Sequence, residues 1–289
     1  MNNAENSILK VPQFLQNHAE LTRRGITLEG PIKPFVVYET SWRNAPHIVV
    51  KILSPESQEA DISERLQADI RSPNHAIPSE VIPSEPPLLL MPCLSPLNCV
   101  GLRTKPLSFV LYFFSQIVEG LQHLHLQQIV HLDVCVNNLV VAVNNSMTLD
   151  RRVELGKIYF IDFQTSQQLQ LPPGIQPAIT LPQSQVRPPP NIKQFDPYSW
   201  DVYCLGYLLR NRLKFHCLSK PKWPWIACRY IDWLIGTERG CTVACHCRPT
   251  ALRAHQVLTV IRWAVHVCDV LGKIVTLRKT LLAPRIVSI

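Results

Sequence analysis

Three polar residues in the middle of the chain have a spacing that suits chemistry on phosphate groups. Asp133 is followed five residues later by Asn138, and Asp162 comes directly after the apolar run 158–161. A carboxylate can accept the proton of an attacking hydroxyl, while an amide oxygen and a second carboxylate are hard ligands of the kind that Mg²⁺ prefers. The spacing therefore predicts phosphoryl transfer, with Asp133 as the base and with Asn138 and Asp162 as metal ligands.

One long helix and two short strands are predicted to bring these residues together. Apolar side chains recur at steps of three and four from residue 107 to residue 124, which predicts a helix that ends just before the Asp133 loop. The runs 139–143 and 157–161 are β-like and predict a hairpin that carries Asn138 and Asp162 to the same place. Residues 164–197 are rich in Gln and Pro, and a buried helix is predicted to begin at Asp201.

The first half of the chain predicts a small β-rich region. Apolar, β-branched or aromatic runs lie at residues 35–38, 47–53 and 88–91, and the segment 60–70 between the last two has a helical pattern. Together with the second half, this order of elements indicates an α+β chain.

The sequence resembles the catalytic domain of eukaryotic protein kinases, of the divergent kind common in fungi. His131-Leu132-Asp133 with Asn138 resembles the kinase catalytic loop, Asp162-Phe163 resembles the metal-binding Asp-Phe-Gly turn, and the segment from Asp201 resembles the start of the large helix whose Asp ties down the catalytic loop. The resemblance covers roughly residues 35–260. It implies a protein kinase-like two-lobed fold, with a β-rich N-lobe over residues 35–92 and a larger, mainly helical C-lobe over residues 93–265. Residues 1–34 would be an N-terminal extension and residues 266–289 a tail of unclear role.

The same resemblance implies a binding site for ATP and Mg²⁺. Lys51 would hold the α- and β-phosphates, with Glu64 on the following helix as the better candidate for its ion-pair partner and Glu59 as the weaker one. Met91 would guard the back of the adenine pocket. Cys93 would lie in the hinge that offers backbone groups to adenine.

Several departures from the kinase pattern leave three functions open. No Gly-rich loop precedes Lys51, Cys135 stands where serine/threonine kinases place a Lys, and Gln164 replaces the Gly after the metal-binding turn. The chain could be a serine/threonine protein kinase that moves the γ-phosphoryl of ATP to a protein substrate, or a pseudokinase that binds ATP or acts as a scaffold. A small-molecule phosphotransferase is the third possibility. The Asp201 helix disfavours it, as does Arg248-Pro249-Thr250-Ala251, which resembles the late Arg-Pro-Thr/Ser segment of the protein kinase C-lobe.

Composition limits the other classes of function. With 46% hydrophobic and 17% charged residues, the 289-residue chain can bury a core, and its net charge of +8 comes without a compact basic patch or a nucleic-acid-binding motif. The apolar segment 257–275 is interrupted by four polar or charged residues, which predicts no membrane span. The polar start of the chain lacks a secretory signal, so the ten cysteines are expected to be reduced in an intracellular protein, cytoplasmic or nuclear. We expect a monomer.

Overall fold

The computed structural model describes residues 10–43, 46–69, 73–143, 150–190, 192–217, 224–239, 241, 244–245 and 247–282. It is an α+β structure in which an antiparallel five-stranded sheet is followed by a mostly helical region. This two-part layout is loosely like that of a protein kinase, and the predicted α+β class is confirmed to that extent.

The N-terminal part consists of the sheet and three helices. Its strand order is β1-β2-β3-β5-β4, with every neighbouring pair antiparallel. The elements are α1 (Gln13–Gln16), α2 (Ala19–Arg23), β1 (Leu28–Lys33), β2 (Val37–Thr40), β3 (Ile48–Ile52), α3 (Glu59–Gln67), β4 (Glu80–Ile82) and β5 (Leu88–Pro92).

The sheet begins earlier than the sequence predicts. β1 lies inside the segment 1–34 that was expected to be an extension, and it pairs with β2 from Leu28 to Lys33. Gly30 and Pro31 in the middle of the strand have low β-propensity, and the register shifts on both sides of this pair. Gly and Pro are typical of bulges and edge strands, so their presence interrupts the alternating apolar pattern by which a strand is recognised in a sequence.

The C-terminal part is built around helices joined by very short strands. Its helices are α4 (Leu107–Leu126), α5 (Pro197–Cys217), α6 (Trp225–Ile235) and α7 (Ala251–Leu282). Its strands are β6 (Ser95–Pro96), β7 (Ile129–Val130), β8 (Leu139–Val141), β9 (Ile158–Phe160), β10 (Gln167–Gln168), β11 (Gln194–Phe195) and β12 (Ala244–Cys245). The apolar stripe of α4 is buried in the main core, where α4 packs against α5 and α7.

The predicted hairpin is confirmed. β8 and β9 pair antiparallel with Leu139 opposite Phe160, so Asn138 and Ile161 are neighbours at the end of the hairpin. The Asn144-Asn145 stretch that was expected to connect the strands lies outside the described residues.

Helix α5 begins four residues before the predicted start at Asp201. Asp196 caps it, because its Oδ1 accepts hydrogen bonds from the backbone N–H of Tyr198 at 2.9 Å and of Ser199 at 3.2 Å. Pro197 then occupies the first helical position, where its missing N–H costs nothing. Asp201 therefore lies one turn inside the helix and is fully buried.

Helix α7 crosses the predicted boundary between C-lobe and tail at residue 265, since it runs without interruption to Leu282. Among the described residues, no helix is both long enough and apolar enough to cross a membrane.

Candidate functional site

The loop that carries Asp133 is held in place by the buried carboxylate of Asp201. Asp201 accepts hydrogen bonds from the backbone N–H of His131 at 2.8 Å and of Leu132 at 2.7 Å, and its Oδ2 lies 3.0 Å from His125 Nε2. Leu132 has a φ of 65°, a conformation that is costly for a branched side chain. The two backbone hydrogen bonds to Asp201 stabilise this strained turn, as the resemblance implied for this residue.

Asp133 and Asn138 lie in direct contact. The amide nitrogen of Asn138 donates to the Asp133 backbone oxygen and to Asp133 Oδ2, both at 2.9 Å. This arrangement uses the amide nitrogen and leaves the amide oxygen of Asn138 as the atom that could ligate a metal ion.

The Asp133 carboxylate also accepts hydrogen bonds from a distant segment of the same chain. Ser184 Oγ and the backbone N–H of Gln185 donate to Oδ1 at 2.9 and 2.8 Å, and Gln185 Nε2 donates to Oδ2 at 3.0 Å. The Ser184 hydroxyl therefore occupies the kind of position that the hydroxyl of a phosphoryl acceptor would need to reach.

Asp162 is brought to the same place by the end of strand β9. The backbone N–H of Ile161 donates to the backbone oxygen of Asn138 at 3.0 Å, and His131 Nε2 lies 3.1 Å from the backbone oxygen of Ile161. Asp162 itself has left-handed backbone angles, φ 61° and ψ 68°, which aspartate tolerates better than most residues. The turn allows its side chain to meet Lys51 from strand β3.

Lys51 is one of the residues that connect the two parts of the chain. Its ammonium lies 2.7 Å from Glu59 Oε1 and 2.5 Å from Asp162 Oδ1. Lys51 is 4% exposed and Glu59 is fully buried, so this ion pair is shielded from water, whereas the Asp162 side chain is partly exposed. Lys51 thus contacts Asp162, and Asn138 contacts Asp133. The backbone hydrogen bond from Ile161 to Asn138 brings these two contacts to the same end of the β8–β9 hairpin.

The prediction that Glu64 pairs with Lys51 is wrong. Helix α3 begins at Glu59, and its buried face contains Glu59, Ile62 and Leu66, at steps of three and four. Glu64 lies five residues after Glu59, about 140° around the helix, and it is exposed. The apolar residues Ile62 and Leu66 were the signal that could have identified Glu59, because they mark the face that turns towards the sheet.

The ionisation of the two carboxyl groups follows from this network. Burial would raise the pKa of Asp162, but the charge and hydrogen bond of Lys51, together with smaller effects of His131 and Lys33, outweigh burial, so the pKa is lowered from its ordinary 3.8. Burial raises the pKa of Glu59, and Lys51 opposes that rise only in part. Asp162 is therefore the carboxyl group that stays ionised most readily beside Lys51.

Met91 and Cys93 lie at the far end of the same sheet face. Met91 is opposite Val49 in the pairing of β5 with β3, and it is buried in an apolar cluster that also includes Val140 of β8. Such side chains suit the faces of a purine ring. Cys93 follows β5 directly, and its backbone N–H donates to the His47 oxygen at 2.9 Å.

Lys33 is a candidate that the sequence did not single out. The β1–β2 hairpin has no glycine at its tip, residues 34–36, and Phe35 there has a φ of 65°. Lys33, at the end of β1, is exposed but close enough to Asp162 that its charge contributes to lowering the pKa of that carboxyl group. A lysine on this hairpin could contact phosphate where a Gly-rich loop is lacking.

The donor atoms fit Mg²⁺ bound to a nucleotide. Asp162 provides a carboxylate and Asn138 an amide oxygen, and these are hard oxygen ligands on neighbouring positions of one hairpin. The nearby charge of Lys51 would favour the phosphate groups that such an ion accompanies.

Comparisons with known proteins do not add to this geometry. A scan against protein-family models finds no family that matches the chain, and a search of curated proteins finds no similar sequence. The contacts of the described residues are therefore the basis for assigning a function.

Proposed function

We propose that the chain is a protein kinase that transfers the γ-phosphoryl of ATP to a serine or threonine hydroxyl. The observation that supports it best is a pair of contacts at one end of the β8–β9 hairpin: Lys51 with Asp162, and Asn138 with Asp133. These residues come from β3, the turn after β9 and the Asp133 loop, and polar and ionisable groups gathered from separate elements are typical of functional sites.

Each residue has a role that its position permits. The Lys51 ammonium would hold the α- and β-phosphates, and Glu59 would keep that ammonium extended across the sheet. Asp162 and Asn138 would hold Mg²⁺, which neutralises charge on the phosphates when it is bound. Asp133 would accept the proton of the acceptor hydroxyl, and Asn138 Nδ2 would keep its carboxylate oriented.

A protein acceptor is favoured over a small molecule by the surface beside Asp133. A groove of about 830 Å³ begins at Cys135 and Gln185 and continues between Arg187 and the side chains of helix α5. Its lining residues come from the segment before α4, from the Asp133 loop, from residues 185–187 and from α5, so a bound polypeptide could contact several segments of the chain at once.

Substitution of Asp133 tests the assignment. Asp133→Asn should lower kcat for phosphate transfer to a Ser/Thr peptide library by about 100-fold or more, the usual contribution of a general base. Binding of Mg-ATP, measured by isothermal titration calorimetry, should change little. The matched control is Asp232→Asn, because Asp232 is an exposed aspartate on α6 that forms a surface ion pair with Arg210. Equal transfer by wild type and Asp133→Asn would reject the role of Asp133.

A pseudokinase is the second candidate, and two observations favour it. Burial, with the nearby charge of Asp133, raises the pKa of Cys135 to about 11, so this residue provides no positive charge for a γ-phosphate at neutral pH. The Asp133 carboxylate is also occupied by Ser184 and Gln185. A thermal shift with Mg-ATP in wild type, abolished in Lys51→Met and accompanied by no transfer to any peptide, would support this second function.

A further inference from the structure

Three potential metal ligands converge at the end of the sheet where β5 leaves it. Glu39 lies on β2, His47 directly precedes β3, and Cys93 directly follows β5. Successive side chains of a strand alternate between faces, so Glu39 shares a face with Val37, His47 with Val49, and Cys93 with Met91. Val37, Val49, Met91 and Cys93 belong to one apolar cluster, which places the three ligands on the Lys51 face of the sheet, at its opposite end.

The donor atoms of these residues are already within the range of a shared ion. His47 Nε2 lies 3.0 Å from Glu39 Oε2, and Cys93 Sγ lies 3.9 Å from the same oxygen. All three donor atoms lie within 4.8 Å of one another. Ligands about 2.0–2.3 Å from a tetrahedral ion are separated by about 3.3–3.8 Å, so small side-chain shifts would complete the geometry.

We propose that Glu39, His47 and Cys93 form a binding site for a divalent transition-metal ion of the zinc class. One imidazole nitrogen, one thiolate and one carboxylate oxygen are three ligand types that Zn²⁺ accepts, and a fourth position would remain for water or another ligand. The mixture of a soft sulfur with nitrogen selects against Mg²⁺ and Ca²⁺, which require oxygen ligands. This site is therefore distinct in chemistry from the one that Asn138 and Asp162 would provide.

The surroundings of Cys93 place its sulfur beside a carboxylate. Cys93 is partly buried, and its Sγ lies 3.9 Å from Glu39 Oε2. The Glu39 carboxylate would balance the charge of a bound cation, and the thiol would lose its proton to solvent on binding.

The position of the site predicts an effect of the metal ion on the stability of the sheet. The ion would join β2, β3 and the segment after β5, which are held here by backbone hydrogen bonds such as Cys93 N–H to the His47 oxygen. Zn²⁺ should therefore raise the unfolding temperature of the full chain, because it binds the folded state and rigidifies the end of the sheet.

Cobalt substitution gives a direct test in the full-length protein. Titration of the reduced chain with Co²⁺ should produce a near-ultraviolet thiolate-to-cobalt charge-transfer band with one ion per chain, and Zn²⁺ should abolish it by displacement. In Cys93→Ser the band should be lost and the affinity for Zn²⁺ should fall by about 100-fold or more, at least as much as the loss of an outer-shell partner costs. Glu39→Gln should keep the charge-transfer band but weaken binding.

The control is Cys99→Ser, which removes an exposed cysteine six residues further along the chain. It should behave like wild type, and circular dichroism would verify that all variants are folded. The proposal is overturned if wild type gives no thiolate-to-cobalt band. It is also overturned if the band is the same in wild type and Cys93→Ser, because the metal would then be bound by another cysteine. The readout does not involve phosphate transfer, so its outcome is independent of the proposed kinase activity.

Discussion

Removal of the Glu59 charge should destabilise the chain far more than removal of the Glu64 charge. Glu59 is fully buried against Lys51, whereas Glu64 lies exposed on the same helix. Breaking a buried ion pair from one side usually costs about 3–5 kcal/mol, because a desolvated charge loses its partner. Lys51 retains Asp162 at 2.5 Å, so we expect Glu59→Gln to lie near the lower limit, about 3 kcal/mol.

Glu59→Ala should have a larger effect. The backbone N–H of Phe163 donates to Glu59 Oε1 at 3.0 Å, and alanine would leave this buried donor without its acceptor. An unsatisfied buried donor adds about 1–3 kcal/mol, which gives a total of about 4–6 kcal/mol. The difference between the two variants measures how much of the role of Glu59 is to fix the turn at Asp162.

Urea unfolding followed by tryptophan fluorescence is the assay. A loss of about 3 kcal/mol should lower the midpoint by about 1 M or more, while Glu64→Gln should remain within about 0.5 kcal/mol of wild type. Mg-ATP titration of each folded variant gives a second readout, because Lys51 would no longer be extended by Glu59. Coincident midpoints for Glu59→Gln and Glu64→Gln would refute the assignment of the buried pair.

Three further predictions concern other parts of the structure. Lys33→Ala should weaken Mg-ATP binding in calorimetry by about two- to fivefold, the effect of one exposed ion pair, and the difference should vanish at high salt; an unchanged affinity at low salt would exclude Lys33 from phosphate binding. Because Lys51 lowers the pKa of Asp162, protons bind preferentially to the unfolded chain, and the stability that Asp162 contributes is present above pH about 4 and lost as the pH falls further. Asp162→Asn should therefore flatten the acid limb of the stability curve measured by urea unfolding, and an acid limb as steep as that of wild type would contradict this. Gly206→Ala would place a Cβ 2.7 Å from Ile235 Cγ1 and 3.1 Å from the Ile235 backbone nitrogen, so it should lose about 1–3 kcal/mol in the same assay, whereas Gly101→Ala, with nothing within 4 Å, should be neutral.

The sequence predicted those elements whose residues have one strong pattern. The stripe of α4 and the β8–β9 hairpin follow from periodicities of 3.6 and 2, and the hairpin brings Asn138 next to Ile161, the residue before Asp162. Strand β1 was hidden because Gly30 and Pro31 break its pattern. The start of α5 was placed too late because the Asp196-Pro197 signal for a helix start was overlooked in a proline-rich segment.

The candidate site was predicted less completely than the elements that carry it. Lys51, Asn138 and Asp162 were predicted because protein kinases, which the sequence resembles, have these side chain types at fixed points of strands and loops, and they remain a prediction. Which glutamate pairs with Lys51 depends on which face of the short helix α3 is turned inward. The helix was predicted to start one residue too late, at residue 60, and this moved the prediction from Glu59 to Glu64. Contacts between distant segments, such as Ser184 with Asp133, leave no local pattern at all.

If the chain transfers phosphate as proposed, Ser184 and Gln185 compete with the acceptor hydroxyl for Asp133. An external hydroxyl would then reach Asp133 in those molecules in which this segment has moved away, because the carboxylate is otherwise occupied. If that open form makes up about one molecule in a hundred, the apparent affinity for an acceptor is about 100-fold weaker than its intrinsic affinity. A partner that holds residues 184–185 away from the loop would thereby increase turnover without contacting ATP.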